Sequence, residues 1–497
     1  MRQPVPWPTR TTACRAAVCA LTLLWAGAAD ASDAFVVAQS ADQAPAPLPA
    51  PPPAQSAGPL GFLAGIGRSN TMLGDMWGLR PLISQYGMTF NLSEVSEVLG
   101  NVGGGTRQGA DYDGLTTATL QLDTQRAFGW HGGTFNVSAL QIHGRDLSTD
   151  NLQTLQTASG IEADRATRLW ELWYQQKLFD EDRLDIKIGQ QSLDQDFMVS
   201  QNALLFVNTM FGWPMLPSAD LPGGGPAYPL SALGVRARAH ATDSLTLLAG
   251  VFNGSPVARK SGDPQQRNPS GTSFPLNGGA LLIAELQYAY PSQNTMVTPD
   301  QGEPLARTYK LGVWYDSERF DDLRFDSTGL SLANPASSGI PRNHAGDYAI
   351  YAVADQMVWR SFDDPDRNIG VFVRAMGAPQ ADRNLVTFSM NAGVTMHEPF
   401  LGRDDDTAGI GIGFAKVSGV ASQLEQDTAT FTGAYTPVQT SETYIEATYQ
   451  YEVTPWLQLQ PDVQYVFMPG GGVASPYNPG HRIQNEAVLG LRTNIQF

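Results

Sequence analysis

The stretch E-A-V-L-G-L-R-T-N-I-Q-F, residues 486–497, alternates between two kinds of side chain. One set is largely apolar and the other is largely polar: Ala487, Leu489, Leu491, Thr493, Ile495 and Phe497 against Glu486, Gly490, Arg492, Asn494 and Gln496. A period of two predicts a β-strand with a different environment on each face. Such a strand suits a soluble sheet that covers a core. It equally suits an outer-membrane barrel, whose strands need about 9–11 residues.

The beginning of the chain has the features of a secretory signal peptide. Three arginines lie among the first residues, and a run without charge follows from 16 to 29. That run is too short to span a bilayer as a helix, and the small residues Ala29 and Ala31 suit a signal peptidase. We expect residues 1–31 to be removed, with cleavage near Ala31 or, alternatively, at Ala28.

Composition argues against several classes of function. Both cysteines, Cys14 and Cys19, lie within the predicted signal, so disulfide and thiol chemistry is not expected in the exported chain. Removal of the signal takes away three arginines and one aspartate and moves the formal net charge from −17 to −19, which disfavours nucleic-acid binding. The six histidines show no metal-ligand spacing, so a metal site is not expected.

Two further segments precede the main pattern. Residues 32–60 are rich in proline and alanine and are predicted to form an extended, mobile tether. Residues 61–87 are predicted to be a short N-terminal periplasmic segment, in which 76–83 form a turn or a brief helix. No segment after the signal reaches about 18 consecutive apolar residues, so no membrane-spanning helix is predicted.

From Met88 onward the period-two pattern recurs. It predicts sixteen strands: 88–99, 115–126, 133–143, 168–178, 183–191, 231–241, 244–253, 279–290, 306–316, 346–359, 368–377, 384–395, 408–418, 441–453, 455–467 and 485–497. An even number near sixteen closes into a barrel wide enough for an aqueous channel. The sequence therefore predicts an all-β protein, a transmembrane antiparallel β-barrel of about sixteen strands over residues 88–497.

The predicted connections alternate between short turns and long loops, as outer-membrane barrels require. The exceptions are chiefly 291–305 and 378–383. The long set forms extracellular loops and includes 100–114, 192–230 and 317–345. A soluble protein of several β domains has no reason to alternate in this way.

Side-chain alternation separates lipid from lumen. Three strands illustrate the apolar face: Leu245, Leu247, Ala249 and Val251; Tyr309, Leu311, Val313 and Tyr315; Thr443, Ile445, Ala447, Tyr449 and Tyr451. The opposite faces carry many charged and amide groups, which a dry core does not bury unpaired. We expect the polar faces to line a wet lumen.

Several motifs resemble those of the carbohydrate-selective porin (OprB-type) family of Gram-negative outer membranes. The likeness begins at Gly74-Asp75 and Gly78-Leu79-Arg80 and covers roughly residues 70–497. It is densest at Glu442-Thr443-x-Ile445-Glu446, Val453-Thr454-Pro455-Trp456-Leu457, Gln460-Pro461-Asp462-x-Gln464-Tyr465 and Gly490-x-Arg492. Met76-Trp77 departs from the family's first motif, and the proline-rich tether lies outside the family core.

The resemblance implies a passive outer-membrane channel that favours monosaccharides and other small carbohydrates, without enzymatic chemistry and without a cofactor. Sugars are neutral, hydrated and apolar on their ring faces, so a selective pore combines aromatic surfaces with hydrogen-bonding groups. Binding has to stay weak, because a tight site slows release. Small carbohydrates and outer-membrane lipid are therefore the expected partners.

The longest predicted loop, 192–230, is the candidate constriction that folds into the pore. It carries Asp194, Asp196, Phe206, Phe211, Trp213 and Tyr228, and its alternative is an extracellular loop packed on its neighbours. Arg236 and Arg238 follow on the predicted lumen face and are the preferred donors to sugar hydroxyls.

Strand 168–178 offers a second candidate sugar contact, because Glu171, Trp173 and Gln175 share one face. In the opposite register Trp173 faces lipid, and the sequence leaves both registers open. Further predicted pore-lining residues are Glu285, Lys310, Trp314, Arg374, Glu446, Asp462, Gln464 and Arg492. The glycines 409, 411 and 413 alternate within one strand and are predicted to make room on its lumen face.

Other functions stay open from the sequence. The same wall suits a non-selective or ion-selective general porin. An outer-membrane barrel hydrolase is a further alternative, with His143 as its one tempting histidine, although no nucleophile motif accompanies it. The sequence leaves both a monomer and a homo-oligomer open.

Bacterial barrel proteins commonly end in an aromatic residue that the assembly machinery recognises. The resemblance implies that Phe497 has this role. Deleting Phe497 is therefore expected to impair membrane insertion rather than transport. The measurement is the amount of heat-modifiable, folded protein in outer-membrane fractions. Normal insertion of the shortened chain would contradict the prediction.

Overall fold

Sixteen antiparallel strands close into a barrel in this computed structural model, which describes residues 69–259, 261–292 and 304–497. The predicted signal 1–31, the tether 32–60 and residues 61–68 lie outside the described residues. The barrel strands are β1 Met88–Gly105, β2 Gly109–Asp123, β3 Gly133–Gly144, β4 Ala166–Leu178, β5 Leu184–Gln191, β6 Ala232–His240, β7 Leu245–Asn253, β8 Ala280–Tyr290, β9 Arg307–Asp326, β10 Pro341–Arg360, β11 Asn368–Gly377, β12 Val386–His397, β13 Thr407–Val417, β14 Ser441–Thr454, β15 Leu457–Phe467 and β18 Gln484–Gln496.

The sheet closes because the first strand pairs with the last. β1 and β18 are antiparallel from Ser93 opposite Gln496 to Gly105 opposite Gln484, and every other barrel strand pairs with its neighbours in chain order. Closure leaves no unpaired sheet edge. The predicted all-β barrel of sixteen strands is confirmed.

The remaining elements of the described residues are short. The α-helices are α1 Leu79–Ser84, α2 Thr124–Phe128, α3 Met215–Asp220, α4 Pro264–Arg267, α5 Gly419–Thr432 and α6 Pro469–Gly472. A π-helical turn spans Ser148–Leu152, and 3-10 helices span Asp180–Asp182, Leu193–Gln195, Asn202–Leu205, Thr209–Phe211 and Pro222–Gly224. β16 Ala474–Ser475 and β17 Asn478–Arg482 form a small hairpin outside the barrel. Among the helices in the described ranges, none combines the length and apolarity needed to cross a membrane.

The outer wall follows the predicted alternation. Leu247, Val251, Leu311 and Val313 are exposed on it, while Leu248, Gly250 and Gly312 alternate with them, point inward and are buried. Short connections join the strands at one end of the barrel, the turn side. Most long connections join them at the other end, the loop side, where the link between β1 and β2 is a short exception.

Two predicted loops are largely strand. β1 and β2 continue through most of 100–114, with Asn101 opposite Gly109, and β9 and β10 continue through much of 317–345. Pairing persists there because neighbouring backbones satisfy each other's polar groups beyond the apolar band. Loop length was therefore overestimated at these two places.

The segment before β1 attaches to the last strand. The backbone N–H of Met72 donates to the carbonyl of Gln496 (2.7 Å), and that of Phe497 donates to the carbonyl of Leu92 (2.9 Å). The guanidinium of Arg80, one residue into α1, donates to the carbonyls of Gly74 and Phe497. These bonds tie the segment that precedes the barrel to the seam between β1 and β18.

A buried ion pair spans the same seam inside the barrel. Glu97 of β1 and Arg492 of β18 are direct cross-strand partners, and both side chains are almost completely buried. A buried charge that loses its partner destabilises a protein by about 3–5 kcal/mol. The pair therefore stabilises the register in which β1 and β18 close the barrel.

Arg492→Met is expected to lower the unfolding free energy of the barrel by about 3–5 kcal/mol, because it strands the Glu97 carboxylate. Unfolding is measured as loss of heat-modifiable mobility in gels over a denaturant series. The double variant Glu97→Gln/Arg492→Met is expected to recover most of the loss. Arg183→Ala, which removes the exposed pair with Glu181, is the matched control and should leave the stability close to that of wild type. Equal stability of Arg492→Met and wild type would contradict the prediction.

Candidate functional site

The segment between β5 and β6, residues 192–231, crosses the interior of the barrel, and we call it the inner loop. Its ring of Phe206 lies 5.7 Å from that of Phe372 in β11, and Phe211 lies 5.4 Å from Tyr444 in β14. In the closed sheet these strands lie across the lumen from β5 and β6. The inner loop thus folds inward rather than packing on its extracellular neighbours.

The glycines of β13 provide the surface on which the inner loop packs. A Cβ at Gly411 would lie 2.5 Å from the ring of Phe211, and one at Gly409 would lie 2.9 Å from the ring of Phe206. A side chain at either position would displace these rings. The prediction that glycines 409, 411 and 413 make room on the lumen face is confirmed.

Arg374 of β11 holds the middle of the inner loop. Its guanidinium donates to four backbone carbonyls at 2.5–2.9 Å, those of Met198, Met210, Phe211 and Gly212. A planar fork with five N–H donors suits this role, and a lysine ammonium does not reproduce its geometry. Because the guanidinium serves the loop backbone in this structure, a pore-lining role for Arg374 stays a prediction.

Inward-facing carboxylates hold the same loop through its N–H groups. Glu446 accepts from the N–H groups of Val207 (2.5 Å) and Asn208 (3.0 Å), and Glu285 accepts from that of Met198 (2.8 Å). A carboxylate that accepts such bonds is held in place by the loop backbone without contacting bulk water. The inner loop therefore fills part of the interior that was predicted to be wet.

A second segment, residues 145–165 between β3 and β4, also enters the barrel, which the sequence did not predict. Glu442 accepts from the N–H groups of Leu155 (2.8 Å) and Gln156 (2.7 Å), while the amide of Gln464 donates to the carbonyl of Ala158 (2.7 Å). This segment and the inner loop together form a partition that we call the septum. The sequence signal for the septum was the large number of acidic and amide side chains on the inward faces of the strands.

Several predicted sugar contacts are buried in the septum or against it. The indole of Trp213 donates to the carbonyl of Gly224 (2.9 Å), and the hydroxyl of Tyr228 donates to that of Ile161 (3.0 Å). Phe206, Trp213 and Tyr228 have no exposed surface. In this conformation these three side chains pack the septum and cannot touch a solute, so a role in sugar contact stays a prediction for them.

Five charged side chains meet where the inner loop leaves β5. Asp196 accepts from Lys187 (2.5 Å), Arg238 (2.8 Å) and Arg236 (3.2 Å), and Arg236 also donates to Asp185. We call these five residues the basic cluster, since three cations share two carboxylates. Arg236 is completely buried, whereas a quarter of the Arg238 side chain is exposed.

The register of β4 brings an aromatic face to this cluster. Leu172 lies on the outer wall, and Glu171, Trp173 and Gln175 point inward, which is one of the two registers considered. The ammonium of Lys187 lies 5.0 Å from the centre of the Trp173 ring. Glu171 is buried and accepts from the N–H of Ser192, the first residue of the inner loop (3.1 Å).

A β-bulge in β4 places one more aromatic inside. Ser138 and Ala139 of β3 pair with Glu171 and Leu169, so Trp170 is the extra residue of β4. Trp170 is therefore buried on the inner side as well, although simple alternation assigned it to the opposite face from Trp173.

The other predicted pore-lining residues all belong to the inward face. The buried members are Glu285, Trp314, Glu446, Asp462, Gln464 and Arg492, and the partly exposed member is Lys310. With Trp173, Gln175 and Arg238, Lys310 completes a set of inward side chains that keep exposed surface beside the basic cluster. Lys187 and Asp185 of β5 were not predicted, although period two in that strand marks both.

Among the described residues, one group of three side chains could hold a metal ion by residue type and mutual distance: Asp322, His344 and Asp382. The Nε2 of His344 lies 2.9 Å from Asp322 and 3.6 Å from Asp382. Arg383 donates to both oxygens of Asp382. Burial acts to raise the pKa of Asp382, but Arg383 and His344 hold that pKa below its usual value. These ion pairs satisfy the group, and its three members are too far apart in sequence for local spacing to reveal them.

The single histidine considered for a hydrolase lies elsewhere. His143 is on the outer wall, where it bonds Tyr112 (3.1 Å) and Gln141 (2.9 Å) rather than a serine. This position gives no access to the lumen.

Comparison with known proteins gives a family match. A sequence model of the family described as carbohydrate-selective porin, OprB family, matches residues 107–497. Porin B of Pseudomonas aeruginosa is 25% identical over 453 residues, which cover 86% of this chain and 92% of that protein. A high-pH structure of Pseudomonas putida OprB has a TM-score of 0.74 at 24% identity, with 86% of this chain and 99% of that chain covered. A low-pH structure of the same protein has a TM-score of 0.51 at 18% identity and equal coverage.

Arg374→Met is expected to loosen the septum, because four buried carbonyls lose their donor at about 1–3 kcal/mol each. We expect larger single-channel conductance in planar bilayers and faster protease cleavage within the inner loop, while the barrel stays heat-modifiable. Arg307→Met, which removes an arginine from the outer wall over Tyr290, is the matched control. Unchanged conductance together with unchanged protease resistance would show that the clamp is dispensable.

Proposed function

This chain belongs to the carbohydrate-selective porin family OprB, and we propose that it is an outer-membrane channel through which monosaccharides and other small sugars diffuse into the periplasm. The turn side of the barrel then faces the periplasm and the loop side faces the exterior. Diffusion is passive, and the residues described above act by contact and by shape.

One observation supports the sugar as solute: an aromatic ring and several hydrogen-bonding groups keep exposed surface together on the inner wall. Trp173 offers an apolar face for a sugar ring, and Gln175 offers an amide beside it. Arg238 and Lys310 offer charged donors to hydroxyl groups. A hydrated solute that loses water in the pore regains these bonds, so passage stays easy.

The buried members of the basic cluster support this surface from behind. Arg236 lies between Asp185 and Asp196, and its position is set by both carboxylates. Asp196 in turn orients the partly exposed Arg238. A donor that is already oriented loses little side-chain entropy when it meets a passing hydroxyl group.

A second candidate function rests on the net positive charge of the basic cluster. Three cations against two carboxylates leave a positive surplus, to which Lys310 adds, and this attracts anions into the pore. An ion-selective porin for small anions is therefore the alternative. The reversal potential in planar bilayers under a salt gradient separates the two, since a sugar channel needs no strong anion preference.

We expect proteoliposomes to swell faster with a monosaccharide than with a zwitterionic amino acid of similar size. Trp173→Ala should lower the sugar rate by about 2- to 10-fold, which corresponds to about 0.5–1.5 kcal/mol for one aromatic contact. The control is Trp130→Ala, which removes an exposed tryptophan from the turn between β2 and β3. Equal swelling with both solutes would refute selectivity, and an unchanged rate in Trp173→Ala would move the sugar contact elsewhere.

A further inference from the structure

A row of cross-strand partners runs along the inner wall from Trp173 toward the seam. Thr89 of β1 is paired with Gln121 of β2. Gln121 is also paired with Asn136 of β3, which in turn is the partner of Trp173 of β4. We call Thr89, Gln121 and Asn136 the amide row. Residues directly opposite each other in a sheet project to the same face, so the amide row shares the lumen face with Trp173.

The lumen has access to two members of the amide row. Thr89 is exposed, and Gln121 keeps part of its surface exposed. Leu120 and Phe135, which adjoin the row in sequence, are instead exposed on the outer wall. A solute in the lumen therefore meets the hydroxyl of Thr89 and the amide of Gln121.

The buried Asn136 holds the amide of Gln121 in place. Nε2 of Gln121 donates to Oδ1 of Asn136 (3.1 Å), and only 3% of Asn136 is exposed. An amide group has two N–H donors and an oxygen with two lone pairs, so Gln121 keeps bonding capacity for a solute. Nδ2 of Asn136 has no hydrogen-bond partner among the described residues, and such unpaired buried donors are uncommon in folded proteins. The pair presents an oriented amide to the lumen.

The surroundings of the amide row are largely neutral. Its inward neighbours along the strands are mostly hydroxyl or amide side chains, among them Asn91, Thr119, Thr134 and Ser138. The acid at the end of β2, Asp123, is engaged as the cap of α2. Hydroxyl and amide groups both donate and accept, which suits the hydroxyl groups of a neutral sugar. An anion is better matched by the basic cluster on the other side of Trp173.

Trp173 and Gln121 are too far apart for one sugar ring to contact both. They lie two strands apart, which is about 9–10 Å along the wall, since neighbouring strands are about 4.7–4.9 Å apart. A ring stacked on the indole reaches β3 and β5, the strands on either side of β4, whereas Gln121 is on β2. Contact with both residues at once therefore needs a second sugar unit.

We propose that Gln121 and Thr89 form a second sugar subsite beside Trp173, with Asn136 as its positioning residue, and that the preferred solute is a neutral disaccharide that spans both subsites. The proposal rests on the proposed function as a sugar channel. One unit stacks on Trp173, and the other exchanges water for the amide of Gln121 and the hydroxyl of Thr89. Because bonds to water are replaced by bonds of similar strength, release stays fast.

Blocking of the ion current by sugars in planar bilayers tests the proposal, with maltose and glucose as probes. Wild type should be half-blocked at a lower concentration of maltose than of glucose. Gln121→Leu is expected to raise the half-blocking concentration of maltose by about 2- to 10-fold, as the loss of one hydrogen bond predicts, and to leave that of glucose unchanged. Trp173→Ala is expected to raise both.

Gln450→Leu is the matched control, because it removes another inward, partly exposed amide from β14, four strands from β2. It should leave both half-blocking concentrations as in wild type. Asn136→Leu is expected to raise the value for maltose alone, because Gln121 loses its orientation. A merely structural role of Asn136 would change both sugars or lower the folded fraction, which heat-modifiable mobility measures.

The outcomes separate this proposal from the proposed function. If both sugars block the current but Gln121→Leu leaves the value for maltose unchanged, the second subsite is overturned and the sugar channel stands. Equal half-blocking concentrations of the two sugars in wild type, or equal increases for both in Gln121→Leu, overturn the disaccharide as preferred solute. If neither sugar blocks the wild type and the pore strongly prefers anions, the proposed function and the second subsite fail together.

Discussion

Every backbone N–H and C=O group in the hydrocarbon layer needs a partner within the protein, and this requirement shapes the whole chain. β1 and β18 meet this requirement for each other, from Ser93 opposite Gln496 to Gly105 opposite Gln484. The Glu97–Arg492 pair lies on the inner face of that seam, and Arg80 binds the carbonyl of Phe497 beside it. Segments that cannot join the closed sheet are left to the two ends or to the interior.

The interior holds loop backbone whose N–H and C=O groups have no neighbouring strand to bond. Wall side chains provide those partners: Arg374 for carbonyls, and Glu446, Glu442 and Glu285 for N–H groups. Charges that a dry core rejects thus become anchors for the septum. The width of the passage and the side chains exposed along it are set by these anchors as much as by the number of strands.

Because successive side chains alternate, one strand serves two functions at once. On β1, Glu97 points inward to Arg492 at the seam and Glu94 points outward to His143 of β3. On β4, Trp173 faces the basic cluster while Leu172 faces outward. A register slip of one residue would exchange these faces, so pairing register couples the pore to the outer wall.

Local pattern in the sequence was enough to predict sixteen strands, their in-and-out faces and the space left by glycines 409, 411 and 413, because period two is a property of neighbouring residues. The inward face of Glu171, Trp173 and Gln175 was one of two open registers, and the bulge at Trp170 was not foreseen, since a bulge depends on pairing with β3. The contacts by which Arg374 and Glu446 hold the inner loop cross the lumen and join residues more than 160 positions apart. Only the tertiary structure decides such contacts, because they arise from chain closure and not from the order of neighbouring residues.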